Sequence, residues 1–255
     1  MKYNLHTHSF YCGHGSGKIG EYAEEAERNG FSLLGFSEHC PFPDEFLSRS
    51  RMPYSARNAY ESDVRALSAS FPVLLGYEVD YFPGRKGYYE EVLEDVDYLI
   101  TGTHYIPRKD GSMVSVFDAD LTSSDLSVYA DAVIKAMESG LFSFTAHPDV
   151  FLSSHPFDEE SKAISRAILE AAKDLGMPLE LNGNGHLKGR GYPSREFWET
   201  AKDMGIPALL SSDAHRVQDL AAPFDFLRSF AEDITLEILE PCSLHPLSFR
   251  KEKES

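Results

Sequence analysis

Short apolar runs recur along the chain, and between them lie stretches whose apolar positions fall at helical spacing. The runs near 2–6, 33–38, 73–79, 97–103, 142–146, 178–182 and 207–211 predict strands. The segments near 19–29, 57–70, 86–94, 124–138, 158–175, 194–204 and 222–232 predict helices. Ser124 with Asp125, Asp158 with Glu159 and Glu160, and Ser194 with Glu196 and Glu199 supply helix starts. Gly30, Gly140, Gly176 and Gly205 stand where the helices should stop. Regular alternation of strand and helix predicts an α/β fold with a parallel sheet covered by helices. No linker, low-complexity segment or further repeat interrupts the cycle, so one domain over 1–255 is expected.

Polar residues close these runs in a repeated way. His6 and His8 follow Tyr-Asn-Leu, with His14 just beyond; His39, Glu78, His104 and His147 close later runs, and Asp213 with His215 closes another. A strand sends alternate side chains to one face, so His6/His8 and Asp213/His215 each point as a pair to the same side. Neutral imidazole and carboxylate suit borderline ions such as zinc, iron or manganese, and a set this rich implies several ions. One histidine alone reads as a surface or satisfied core residue, but seven of the ten fall into this pattern. Ligands carried on successive strand ends converge if the sheet closes, which predicts a TIM-like barrel with the site at the carboxyl ends of the strands.

Composition narrows the class without changing it. A chain of 255 residues with 42% hydrophobic content can bury a core of barrel size. The opening residues run directly into the first ligand pair, and no later apolar run approaches about twenty residues, so a soluble, cytoplasmic protein without membrane contact is expected. Cys12, Cys40 and Cys242 make an odd set without C-x-x-C spacing, which fits a reducing compartment. Cys12 and Cys40 flank His14 and His39, and the plainer reading makes them small buried residues rather than ligands. A formal charge of −17 weighs against duplex nucleic acid as a partner, since phosphate-backbone binding needs a basic surface. The run at 250–254 reads as a solvated tail.

Gly15-Ser16-Gly17-Lys18-Ile19-Gly20 has the spacing of a dinucleotide-binding turn, with Glu38 after the next strand. Such a turn begins where the first strand ends, and here 9–14 intervene; the glycines instead let the loop fold back so that His14 reaches the metal. The glycine-rich segment 183–193 reads as a flexible, partly basic loop on the site's side, where Lys188 and Arg190 are candidates to clamp phosphate. Asp80 shares a strand face with Glu78 and is a candidate for substrate recognition or for support through hydrogen bonds, and Asn182 lines the pocket or fixes a turn. His186 reads as a solvent-facing residue with proton donation as the sharper alternative. His155 and His245 read as surface residues, and Tyr88, Tyr89, Phe224, Phe226 and Phe230 as packing.

The order His6-Thr7-His8, His14, Phe36-Ser37-Glu38-His39, Gly76-Tyr77-Glu78, Thr103-His104, His147-Pro148, Leu181-Asn182 and Ser212-Asp213-Ala214-His215 resembles the polymerase and histidinol phosphatase (PHP) superfamily, specifically its stand-alone histidinol-phosphatases. The likeness covers roughly residues 3 to 230. It implies a distorted (βα)7 barrel holding three divalent ions, whether zinc, manganese or iron. His6, His8, Glu78 and Asp213 would bind the first, Glu78, His104 and His147 the second, and His14, His39 and His215 the third, with Glu78 as bridge. The implied activity is hydrolysis of L-histidinol phosphate to L-histidinol and phosphate, with Glu78, Asp213, His104 and His147 as the catalytic group. Lys188, Arg190 and Asp80 are the expected substrate contacts. A basic phosphate contact that some relatives carry after the fifth strand is missing from 148–152. Two other readings stay open: a PHP phosphoesterase for another small phosphate ester or a nucleic-acid end, and an inactive PHP-type binding module, which the intact ligand set disfavours.

Overall fold

Four parallel strands pair in chain order in the computed structural model, which describes residues 2–118 and 121–241. They are β1 (Tyr3–Asn4), β2 (Leu33–His39), β3 (Val73–Val79) and β4 (Tyr98–Thr101). Helices α1 (Ile19–Arg28), α2 (Arg57–Leu67) and α3 (Lys86–Asp95) make the returns between them. A short antiparallel hairpin follows, β5 (Tyr105–Pro107) with β6 (Met113–Ser115), which the hydrophobic pattern did not predict. Next come α4 (Ser123–Glu138) and α5 (Glu159–Leu175), then the strand β7 (Leu179–Asn182) with α6 (Gly183–Leu187) and α7 (Arg195–Asp203) after it. The strand β8 (Ala208–Ser211), parallel to β7, leads to α8 (Phe224–Ile234). The result is an α/β fold whose parallel strands form a curled half-barrel sheet. Cys242, His245 and the run at 250–254 lie outside the described residues.

Expected and observed elements agree closely for most of the chain, with three corrections. The strand expected at 142–146 is reduced to single-residue pairing: Thr145 bridges Thr101 on one side and Leu179 on the other. Phe144 and Ala146 are fully buried there, so the apolar run reflects burial rather than a long ladder. The start of α4 is capped by Thr122, not Ser124: its hydroxyl accepts from the Asp125 amide while the Asp125 carboxylate accepts from the Thr122 amide, a reciprocal box. Asp158 and Ser194 cap α5 and α7 as expected. The expected loop at 183–193 begins as helix α6, because Asn182 accepts from the Asn184 amide and starts a turn. Its glycines serve close approach: a Cβ on Gly185 would strike Tyr192, and one on Gly183 would strike Pro223.

Two apolar layers hold the strands. The larger runs between sheet and helices, from Ile19 to Leu236, and includes Tyr89 and Phe224. A smaller cluster of Tyr3, Leu5, Tyr98, Ile100, Phe144, Ala146 and Leu209 occupies the inner side of the curl. Tyr98 shows the curvature directly: β4 does not pair with β1, yet the Tyr98 hydroxyl donates to Leu5 O at 2.7 Å. It crosses the inside of the sheet over Gly35 and Gly76, where any Cβ would collide with it. Burying each such side chain is worth roughly 1.5–3 kcal/mol. This plug fills the space beneath the polar ends of the strands.

Candidate metal centre

Strand register brings the first ligands together. In the β2–β3 ladder His39 stands opposite Glu78, and both side chains are buried. Glu78 then lies at the centre of the site. Its Oε2 is 3.0 Å from His39 Nδ1 and 3.4 Å from both His6 Nε2 and His8 Nε2. Its Oε1 is 2.7 Å from His147 Nε2 and 3.4 Å from His104 Nε2. Asp213 closes the other side, with Oδ1 3.3 Å from His8 Nε2 and 3.5 Å from His6 Nε2 and His215 Nδ1. The 9–17 loop folds back through Phe10 N to Gly17 O and Ser16 N to His215 O, which sets His14 Nε2 3.1 Å from His215 Nε2. All the ligand-type residues singled out in the sequence therefore meet at one place, and the glycine motif serves that loop.

The donor set fits divalent cations on the structure's own terms. Glu78 Oε2 and Asp213 Oδ1 are buried without a hydrogen-bond donor, and such oxygens cost free energy unless a cation meets them. His6 Nε2 and His8 Nε2 face each other at 3.0 Å, and His6 Nδ1 lies 2.7 Å from Glu180 Oε1, a carboxylate that can accept the Nδ1 proton and leave the inward nitrogen to a cation. The triads His6/His8/Asp213, His6/Glu78/His147, His8/His39/Glu78 and His14/His39/His215 each hold their ligand atoms within 4.8 Å. Cys12 approaches His8 and His215 in the same way. Burial pushes its thiol up to about 11, and its sulfur accepts from the Gly15 amide at 3.0 Å, so it behaves as a packed thiol.

The imidazoles divide into two groups: burial opposes protonation of His6, His8 and His104, yet the surrounding carboxylates outweigh it and raise all three, while His14, His39 and His215 are lowered. Burial opposes ionisation of Glu78, yet His104 and His6, with the His147 hydrogen bond, outweigh it and hold the carboxyl well below its ordinary range. Asp213 is held low against burial by His6 and His8. Burial, with the charge of His8 behind it, pushes His39 down to about 3 and lowers His14 and His215, keeping these three imidazoles neutral. Neutral imidazole is the form that binds metal, so a cation would take the place of the protons that the carboxylates favour on His6, His8 and His104.

Three carboxylates stand behind three imidazoles. Glu180 serves His6 and also accepts from the His147 amide at 2.9 Å and from Asn182 Nδ2 at 2.8 Å. Glu38 accepts from the Ser9 amide and hydroxyl, with its other oxygen 3.6 Å from His8 Nδ1. Asp80 accepts from the His104 and Tyr105 amides, lies 3.5 Å from His104 Nδ1, and pairs with buried Arg51 at 2.9 Å. Such partners fix ring orientation. Asp80 lines the cavity but spends both oxygens on protein groups, so support is what its geometry shows. Glu180 and Arg51 were not foreseen. Glu180 had a signal, a carboxylate inside the apolar run Leu-Glu-Leu; Arg51 had none. Two of the clustered residues sit on left-handed backbone, His147 at φ 28° and Asp213 at φ 50°. This strain is held by Asn182 and Asn184, which both donate to Asp213 Oδ2. Gly102 lies so close to Glu78 Oε1 that no Cβ fits between them.

Above the cluster opens a cavity of about 190 Å³ whose lining includes Asp80, His104, Phe117, Lys188, Arg190 and Tyr192. Lys188 and Arg190 are exposed at its rim. His186 is exposed, stacks on Phe226 at 3.6 Å and does not line the cavity. His155 is half-buried rather than at the surface.

Comparison with known proteins agrees with this geometry. The PHP domain model matches residues 4–184. A Deinococcus radiodurans protein named "Probable histidinol-phosphatase" is 32% identical over 231 residues, covering 86% of this chain and 88% of the relative. The Bacillus subtilis histidinol-phosphatase is 31% identical over 157 residues, 57% of this chain and 55% of the relative. In structure, the Lactococcus lactis histidinol phosphate phosphatase, solved with zinc, L-histidinol and phosphate, superposes with a TM-score of 0.73 at 18% identity, covering 93% of this chain and 95% of that one. With a family match over residues 4–184 and a relative 32% identical over 86% of the chain, this chain belongs to the PHP domain family.

Proposed function

We propose that this chain is a metal-dependent phosphomonoesterase that hydrolyses L-histidinol phosphate to L-histidinol and phosphate in histidine biosynthesis. The observation that carries the reading is the pair of donorless buried carboxylate oxygens, on Glu78 and Asp213, ringed by imidazoles at the floor of a cavity with cations at its rim. Similarity to proteins named as histidinol-phosphatases supports the substrate. His6, His8, Glu78 and Asp213 would hold one divalent ion, Glu78, His104 and His147 a second, and His14, His39 and His215 a third. Ions so held would supply Lewis acidity, which lowers the pKa of a water and offsets charge on phosphoryl oxygens. Lys188 and Arg190 bind the phosphate from the rim, and Glu180, Glu38 and Asp80 keep the imidazoles turned inward. The single-residue bridges Thr101 to Thr145, Thr145 to Leu179 and Thr7 to Ala214 support closure of the strands into a distorted (βα)7 barrel that forms one domain. Among the described residues no helix is long and apolar enough to cross a membrane, and the partner in this reading is a small phosphate ester.

The test is a metal-reconstituted assay across a panel of phosphate esters, with elemental analysis of the same protein. Histidinol phosphate should exceed sugar and nucleotide monophosphates in kcat/KM by at least tenfold, about 1.4 kcal/mol of differential transition-state binding. A smaller preference leaves a general phosphatase, as several relatives are named. Close to three ions per chain should be found, and full activity with one would overturn the trinuclear assignment.

A further inference from the structure

Phe117 follows the β5–β6 hairpin and is 36% exposed. Among the described residues it is the one exposed large apolar side chain that lines the cavity. Its backbone is anchored: Val116 is fully buried, its amide donates to His104 O at 2.9 Å, and its carbonyl accepts from Ser154 Oγ at 2.9 Å. The ring lies 6.3 Å from that of His104 with 28° between planes, and the Arg190 guanidinium rests 4.5 Å above it. A planar cation therefore already rests on the ring of this cavity-lining side chain.

We infer that Phe117 is a specificity-determining residue, whose ring face takes the planar, cationic or aromatic head of the substrate while the phosphate end lies at the ligand cluster. Arg190 and the substrate head use this face in turn. When the guanidinium turns to the phosphoryl oxygens, the ring is freed for stacking, so one side chain movement exchanges one cation–π contact for another. The hairpin thus reads the end of the molecule opposite to the one that reacts. This inference rests on the proposed phosphatase function and assigns its preference for a ring-bearing alcohol to one side chain.

The experiment uses the metal-loaded full chain as wild type, Phe117→Leu and Phe117→Tyr. Substrates are L-histidinol phosphate and O-phosphoethanolamine, which keeps the amine and phosphate but lacks a ring. Leu preserves apolar bulk and removes the aromatic face. Phe117→Leu should lower kcat/KM for histidinol phosphate about tenfold more than for phosphoethanolamine, and Phe117→Tyr should restore it. The inhibition constant of L-histidinol should rise about tenfold in Phe117→Leu, with that of inorganic phosphate changing at most twofold. Equal losses on both substrates, or a histidinol inhibition constant that does not move, overturn the inference. A wild type without preference for histidinol phosphate overturns the function proposed above instead, so the two failures are distinguishable.

Discussion

The two sides of the metal centre are built differently. On one side His39 and Glu78 are strand residues, held opposite each other by a ladder of six register pairs between β2 and β3. On the other side His147 and Asp213 lie beyond regular pairing, on left-handed backbone, and a buried polar network fixes them. A ladder positions a ligand with backbone hydrogen bonds that any sequence makes. A turn in a sparsely allowed conformation must be held by particular side chains, here Glu180, Asn182 and Asn184. The strand side should tolerate changes around its ligands, while the turn side should depend on its supports.

The largest effect tests the element shared by both sides. Glu78→Gln removes the charge that faces five imidazoles, so turnover should fall on the order of a thousandfold, about 4 kcal/mol. Bound metal should fall with it, and chelation of the wild type should do the same. Wild-type turnover with unchanged metal content would show that Glu78 does not bridge.

The comparison itself is sharpened by Glu180→Gln against Glu38→Gln. Glu180 accepts from three separate donors, His6 Nδ1, the His147 amide and Asn182 Nδ2, and an amide cannot serve all three. Its loss should cost about 10–100-fold in metal affinity or activity. Glu38 keeps its Ser9 contacts with one oxygen, so Glu38→Gln should cost less than about tenfold. Equal penalties, measured as metal affinity and kcat side by side, would erase the distinction between the two sides.

The smallest effect concerns Asp149, two residues after His147 in the turn. It is fully buried and accepts from the Ser194 amide at 2.7 Å, and burial pushes its carboxyl up to about 7. Between about pH 4 and 7 the folded protein therefore holds a proton that the unfolded chain releases. Stability from this group falls as pH rises through that window and levels off above 7. Asp149→Asn should remove this component, narrowing the difference in Tm between pH 5 and pH 8 by roughly 2–4 °C for each kcal/mol involved. An unchanged difference would mean that the carboxyl is ionised throughout.

The same contrast explains what was legible in the sequence. Val73–Val79 and its flanking helices follow hydrophobic period, so the elements and the residue at the strand end are readable from local pattern. The ligands on turns were still recognisable because His-Pro and Asp-Ala-His stand after apolar runs. Their supports were less so, since Glu180 and Arg51 act across 174 and 29 residues of chain and carry no local spacing rule. The run at 142–146 misled because burial on both sides writes the same apolar letters as a long ladder does. The hairpin bearing Phe117 is too short for its period to stand out.

Gly102 carries a consequence for reading natural variation in this chain. It offers no donor, charge or ring, and a catalogue of functional side chains would pass over it. Because the Glu78 carboxylate occupies the volume where its Cβ would stand, even the gentlest replacement, alanine, acts on the central ligand at one remove. A folded, abundant and inactive protein is the phenotype to anticipate, and a variant at this position is to be interpreted as a lesion of the metal centre rather than of the scaffold.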